Sequence, residues 1–428
     1  MLIAAALLFS HPASADELDR DSLIDIRESD GDPAPVVGGK KVKTDRWNTT
    51  VGIVAGGAYV SCTGTLIHPK VVVTAAHCAG NISHVLIGAD DYITDDKGTE
   101  LIEVVSQTVN DEYYDGIGGA DIAILKLKKR AEQAPALIAL ECILDDYLQN
   151  GAEVEVVGYG STNEEGTNFN SALNHGTTLV QSKGCGDDQV DGIWTGCDPS
   201  QRPGGEIGAG GNGVDACFGD SGGPLYLTTP EGDFLVGVTS RAYAGVDGGY
   251  PCREGGIYTR PDAFFKWIEN TTNVELDVYS CNEAPDLGAD SIYTKPGKTG
   301  YSQITVDDPD GDSGSALYEV VEEPVNGTVV IGADGVAAYT ANDSYTGDDR
   351  FTVRVWDGGN PDYELSGDPV SAELEIAVEV GRGLFQHPSQ VGEDSGGCGC
   401  ETTGPSSVGW FALLGWLALA RRRQSASS

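Results

Sequence analysis

Between Val36 and about Asn273 the apolar residues fall in short β-branched runs rather than at helical spacing. Val51-Gly52-Ile53-Val54, Val71-Val72-Val73 and Val154-Glu155-Val156-Val157 are examples. Glycine, asparagine and aspartate separate them, which predicts an all-β barrel or sandwich. The stretch Pro261 to Asn270 holds Asp262-Ala263-Phe264-Phe265-Lys266-Trp267-Ile268 and, with proline near its start, predicts one helix. Past Cys281 the alternation becomes cleaner. Tyr318-Glu319-Val320-Val321, Thr328-Val329-Val330-Ile331, Phe351-Thr352-Val353-Arg354-Val355 and Leu374-Glu375-Ile376-Ala377-Val378 belong to about seven strands of a small β-sandwich over 282–380.

The two ends read differently. Residues 1–15 carry an apolar run, Leu2 to Phe9, and then Ala13-Ser14-Ala15, the pattern of a signal peptide with its cleavage site. Residues 16–35 are acidic and aperiodic, a flexible leader or pro-segment. Residues 381–407 form a Gly/Ser-rich linker, and 408–428 form an apolar segment, Val408 to Ala420, followed by Arg421-Arg422-Arg423. That apolar run is shorter than the ~20 residues of a comfortable spanning helix, and arginines at its end would face the cytoplasm.

Charge narrows the partners. The chain of 428 residues has 66 acidic against 26 basic side chains, a net charge of -40, which excludes nucleic acid and anionic membrane surfaces as partners. Such a balance suits solubility, or the attraction of basic peptides. The ten cysteines have reason to pair in an oxidising compartment, in line with export.

Three segments offer the groups that serine-dependent acyl transfer needs: a nucleophile, a base held in place, and donors for the oxyanion. Gly219-Asp220-Ser221-Gly222-Gly223-Pro224 sets a serine among glycines whose N–H groups are free to turn toward a carbonyl. Thr74-Ala75-Ala76-His77-Cys78 presents a histidine at the end of an apolar strand. Asp121-Ile122-Ala123-Ile124-Leu125 puts a carboxylate at the mouth of another.

These segments, with Val36-Val37-Gly38-Gly39 upstream, resemble the trypsin/chymotrypsin family in content, order and spacing over residues 36–273. The resemblance implies two six-stranded antiparallel β-barrels with a C-terminal helix. It makes Ser221 the nucleophile, His77 the general base and Asp121 its orienting acid, with the N–H groups of Gly219 and Ser221 as oxyanion hole. Asp215, six residues before the nucleophile, falls at the base of the specificity pocket and implies cleavage after Arg or Lys. Gly256 matches a pocket wall that must stay small. Thr239-Ser240-Arg241-Ala242 matches the substrate-pairing strand, but Trp-Gly would normally follow the serine. Ala242 therefore adds a methyl at the pocket entrance, and Arg241 replaces an aromatic wall with positive charge.

Relatives are cut before the segment matching Val36, whose new ammonium pairs with the acid matching Asp220. Pro35 stands at the cleavage position here, so another protease, rather than self-cleavage, is the expected activator. The family bridges imply Cys62–Cys78 and Cys217–Cys252; Cys185–Cys197 would close a local loop, and Cys142–Cys281 follows by elimination. Neither a cofactor nor a catalytic metal is implied. Protein or peptide substrates are.

The second module resembles bacterial cadherin-like or Ig-like repeats through Asn282-Glu283-Ala284-Pro285, Asp307-Asp308-Pro309-Asp310-Gly311-Asp312 and Tyr345-Thr346-Gly347-Asp348-Asp349-Arg350-Phe351. Asp307, Asp308, Asp310 and Asp312 are either Ca²⁺ ligands or solvated turn residues. Gly396-Gly397-Cys398-Gly399-Cys400, the apolar run and the arginines resemble the C-terminal sorting signals of myxobacterial surface proteins, implying sorting machinery and display at, or release from, the cell surface. A non-catalytic surface-binding protein on a protease-like scaffold is the alternative reading.

Overall fold

The computed structural model describes residues 36–381 apart from 43–44, 57–58, 93–98, 115–118, 187–188, 198–204 and 311–315. The expected signal peptide, leader and sorting tail lie outside the described residues, as do Asp312, Cys398 and Cys400. Among the described residues no helix is long and apolar enough to cross a membrane.

The first barrel is made of β1 (Thr50–Ala55), β2 (Tyr59–His68), β3 (Val71–Thr74), β4 (Ile82–Ile87), β5 (Glu100–Val109) and β6 (Ala123–Leu127). They close in the order β1-β2-β3-β6-β5-β4. The second contains β7 (Glu153–Gly158), β8 (Asn174–Ser182), β9 (Glu206–Ala209), β10 (Pro224–Thr229), β11 (Gly232–Ala242) and β12 (Gly256–Thr259). Its ring runs β7-β8-β9-β12-β11-β10 and closes because β7 pairs with both β8 and β10. Both barrels thus follow one strand order, and closure removes exposed sheet edges.

Short apolar runs become strands because each must bury a face. β3 is buried at all four positions, whereas β8 alternates buried and less buried residues along its length. Val51, Ile53, Leu66, Val72 and Ile87 fill the first barrel; Val154, Val156, Ile207, Leu225 and Val236 fill the second. A third apolar cluster, including Val73, Ile124, Val157, Tyr226 and Ile268, cements the barrels together. The expected C-terminal helix begins as a 3₁₀ turn, Pro261–Phe264, and continues as α2 (Phe265–Thr272). A second helix, α1 (Glu141–Tyr147), was not anticipated: its seven residues are too few to show a period.

Among the described residues the later module holds nine strands where about seven were expected: seven form two sheets, and the short strands Asp286–Gly288 and Thr305–Asp307 pair beside them. β13 (Ile292–Thr294), β15 (Leu317–Glu322), β18 (Gly347–Trp356) and β19 (Ser371–Val380) form one sheet, in the order β13-β19-β18-β15. β14 (Thr299–Gln303), β16 (Gly327–Ile331) and β17 (Val336–Ala341) form the other, in the order β14-β17-β16. Tyr339, Phe351, Val353 and Ile376 pack between them. All four expected disulfides are formed: Cys62–Cys78, Cys142–Cys281, Cys185–Cys197 and Cys217–Cys252.

The loop after Ser221 packs directly against the first barrel. Thr63 of β2 donates its N–H to the Ser221 carbonyl at 2.9 Å. Gly222 has φ +79°, and a Cβ there would lie 2.0 Å from Thr74 Oγ1 and 2.5 Å from the Thr63 carbonyl oxygen. Backbone atoms cannot step aside as a flexible side-chain end can. Gly222→Ala should therefore lower the urea-unfolding free energy by at least about 2 kcal/mol, whereas a loss under about 0.5 kcal/mol would contradict this packing.

Candidate active site

β3 and β6 are antiparallel neighbours with Thr74 opposite Ala123. His77 follows the end of β3 and Asp121 precedes the start of β6, so both emerge at the same end of the pair. His77 Nδ1 lies 2.7 Å from Asp121 Oδ2, and the His77 N–H donates to Asp121 Oδ1 at 3.0 Å. From the second barrel Ser240 Oγ donates to Asp121 Oδ2 at 2.7 Å, and Thr259 Oγ1 donates to the Asp121 carbonyl at 3.1 Å. Asp121 is 3% exposed. Burial alone would push its carboxyl up, but the hydrogen bonds and attraction of His77, with the Ser240 hydrogen bond, hold it below the usual carboxylate range. His77 is fixed through Nδ1, leaving Nε2 for proton transfer.

Ser221 lies beyond Gly219, whose φ of +98° favours glycine. Thr63 Oγ1 donates to the Gly219 carbonyl at 2.8 Å, which holds the peptide with its oxygen turned toward β2. Among the described residues neither the Gly219 nor the Ser221 N–H has a hydrogen-bond partner. No hydrogen bond joins Ser221 Oγ to His77 among them either; such contacts often tighten only when substrate arrives.

Ser221 opens onto a cavity of about 120 Å³ lined by Asp215, Ala216, Ser240, Ala242, Gly256 and Tyr258, among others. Asp215 is 2% exposed and accepts the Gly255 N–H at 2.6 Å. Burial pushes its carboxyl up to about 7 despite backbone hydrogen bonds from Gly255 and Ala216. A Cβ on Gly256 would sit 2.9 Å from the Arg241 carbonyl oxygen, so any side chain there would need the strand to shift.

With this geometry the comparisons decide the lineage. The profile described as Trypsin matches residues 36–268. The chain belongs to the trypsin family. Over 243 residues, 56% of this chain and 98% of the relative, it is 30% identical to "Trypsin" of Saccharopolyspora erythraea. It is 29% identical to "Chymotrypsin-like elastase family member 1" of Felis catus over 251 residues, 55% of this chain and 89% of the relative. The figure for "Trypsin alpha" of Drosophila melanogaster is 27% over 239 residues, 56% of this chain and 88% of the relative. Residues 282–362 match a bacterial Ig domain. This family membership supports a serine protease, with protein as the class of substrate.

Several residues of this trypsin-family site escaped the sequence reading. The positive charge of Arg241 does not stand alone: Nη1 and Nη2 donate to Glu206 Oε1 and Oε2 at 2.7 and 3.0 Å, and Glu206 is buried on β9. Glutamate amid the apolar and glycine positions of Gly205-Glu206-Ile207-Gly208 was the available signal. Thr63 and Gly160 carried no signal, because their roles depend on the meeting of separate strands.

Val36 is fully buried. Asp220, also fully buried, accepts the N–H groups of Gly160 and Cys217 at 2.8 and 2.9 Å, and no ion pair reaches it among the described residues. Burial pushes its carboxyl up to about 7. In the uncut chain the Val36 nitrogen is an amide and carries no charge to offer. The main chain before the pocket is nonetheless in place, with the Asp215 N–H donating to the Val37 carbonyl at 3.2 Å.

Raised acids have a measurable sign. With a folded value near 7, Asp215 favours the fold fully below about pH 4, and that contribution is lost as pH climbs to about 7. In a Ser221→Ala background, Asp215→Asn should gain urea stability over its parent as pH rises through this window and level off above it. An equal difference at every pH would contradict the assignment.

Proposed function

We propose that the protein is an exported endopeptidase that cleaves after Arg or Lys through an acyl-enzyme on Ser221. The observation that carries the reading is the buried Asp121 holding His77 Nδ1 at 2.7 Å, beside a cavity that joins Ser221 to Asp215. His77 Nε2 takes the Ser221 hydroxyl proton as Oγ attacks the scissile carbonyl carbon. The carbonyl oxygen gains negative charge and meets the N–H groups of Gly219 and Ser221, each such donor contributing about 3 kcal/mol. Collapse breaks the C–N bond, and His77 passes its proton to the departing amine. Water then repeats the sequence against the ester and restores Ser221.

Asp215 supports the specificity. A buried carboxylate without a fixed cation favours a ligand that supplies one. Ser240 spends its hydroxyl on Asp121, so its part in substrate binding falls to its main chain, alongside Ala242. Glu206 neutralises Arg241, which keeps a basic substrate side chain from meeting repulsion at the cavity wall.

Cutting before Val36 by another protease would give an ammonium to pair with Asp220 and draw its carboxyl back down. The signal peptide supports export, and the Cys398–Cys400 segment with its arginine-ended apolar run supports sorting to the cell surface or release from it.

Protein beginning at Val36 should hydrolyse Arg and Lys peptides, and Ser221→Ala should abolish both turnover and phosphonofluoridate labelling. Asp215→Ser should cut kcat/KM for those substrates about 10²- to 10³-fold while labelling persists. Benzamidinium inhibition should weaken about tenfold per pH unit below about 7, because the ligand must displace the Asp215 proton. Turnover confined to Phe or Ala peptides would keep the triad and remove the pocket assignment. Absence of turnover and of labelling would favour the surface-binding alternative.

A further inference from the structure

Loop 357–370 of the Ig module docks on the protease at Glu141. At the start of α1 the Glu141 carboxylate accepts N–H groups from Glu364, Leu365 and Ser366 at 2.9–3.0 Å, and the Ser366 hydroxyl as well. The adjacent Cys142 is bonded to Cys281. Cys281 in turn donates its N–H to the Ser366 carbonyl at 2.7 Å and accepts Asn360 Nδ2 at 3.2 Å.

The beginning of that loop holds Asp357, whose Oδ1 accepts Asn282 Nδ2 at 2.9 Å and the N–H groups of Gly359 and Val370 at 3.0 Å. Glu283, next in the chain, donates its N–H to Asp310 Oδ2 at 2.7 Å, and the Asp310 N–H goes to Asp308 Oδ1 at 2.9 Å. These bonds draw the loop carrying Asp308 alongside the Asn282–Asp357 pair. Asn282, Asp308 and Asp357 are 6, 8 and 2% exposed, yet Asn282 Oδ1, Asp308 Oδ2 and Asp357 Oδ2 have no hydrogen-bond partner among the described residues.

Unpartnered buried oxygens are costly, and carboxylates more so. No described lysine or arginine forms an ion pair with Asp308 or Asp357. An all-oxygen donor set with two carboxylates suits a hard divalent ion that completes its shell with water. The residues differ from the run marked in the sequence: Asp307 is exposed and pairs with Asp286 across two short strands, and Asp310 is a tie.

We propose that Asn282, Asp308 and Asp357 bind a calcium ion, and that this ion locks loop 357–370 against Glu141 of the protease. The ion fixes Asp357 at one end of the loop, and the same loop presents the N–H groups of 364–366 at the other. The lock is independent of the proteolytic reading.

Calorimetry and amide hydrogen exchange on the full chain carrying Ser221→Ala, stripped with chelator and titrated with calcium chloride, test it. Expected are uptake with a midpoint of about 10⁻⁴–10⁻³ M, as in extracellular modules, and at least tenfold slower exchange at Leu365 and Ser366. Asp357→Asn and Asp308→Asn should each weaken uptake at least tenfold and remove the slowing. Glu141→Gln should keep uptake and lose the slowing. Absence of uptake by the parent, or uptake unchanged in both aspartate variants, would overturn the site. Uptake without slower exchange at 365–366 would overturn the lock.

Discussion

A single buried carboxylate binds the two barrels into one chemical unit. Asp121 stands on the first barrel, where it holds both the ring and the backbone N–H of His77. Ser240 and Thr259 reach it from β11 and β12 of the second. A charge so deeply buried is tolerable only when its oxygens are satisfied: His77 meets both of them, and Ser240 of the second barrel adds a further bond to Oδ2. The Thr63 contacts with Gly219 and Ser221 add the reverse tie, first barrel to the loop of the second that carries Ser221. The relative setting of the barrels is therefore the setting of the site.

What the sequence made legible follows from the distance over which each signal acts. β3 and β6 announce themselves as apolar runs with His77 and Asp121 at their ends, because a strand writes its burial locally. The trypsin-family order of the segments then brings those ends together with Ser221. α1 was missed since seven residues cannot express a helical period against a tertiary contact. Glu206 was missed for another reason: its partner Arg241 is 35 residues away and meets it only through the fold. Among the aspartates after Val306, sequence alone could not separate solvated from buried positions. Asn282 and Asp357, far apart along the chain, share a hydrogen bond that no local pattern encodes.

The buried acids of this protease differ in how they are balanced. Glu206 meets a guanidinium and Asp121 meets His77, so each is matched inside the chain. Among the described residues Asp215 and Asp220 meet backbone N–H groups only, and burial pushes their carboxyls up to about 7. Balance and imbalance have different uses. A matched acid organises its neighbours, whereas an unmatched one stores a demand for positive charge that a substrate or a new chain end can meet.

The bond between the Asp215 N–H and the Val37 carbonyl gives the pocket a second master. The floor of the cavity and the first residues of the domain share one peptide-to-peptide link, so neither can be displaced without tugging the other. On the proposed reading, a change at the start of the domain would reach the cavity floor through that link. If the proposed reading holds, selectivity and maturation meet at this one hydrogen bond between two distant stretches of backbone.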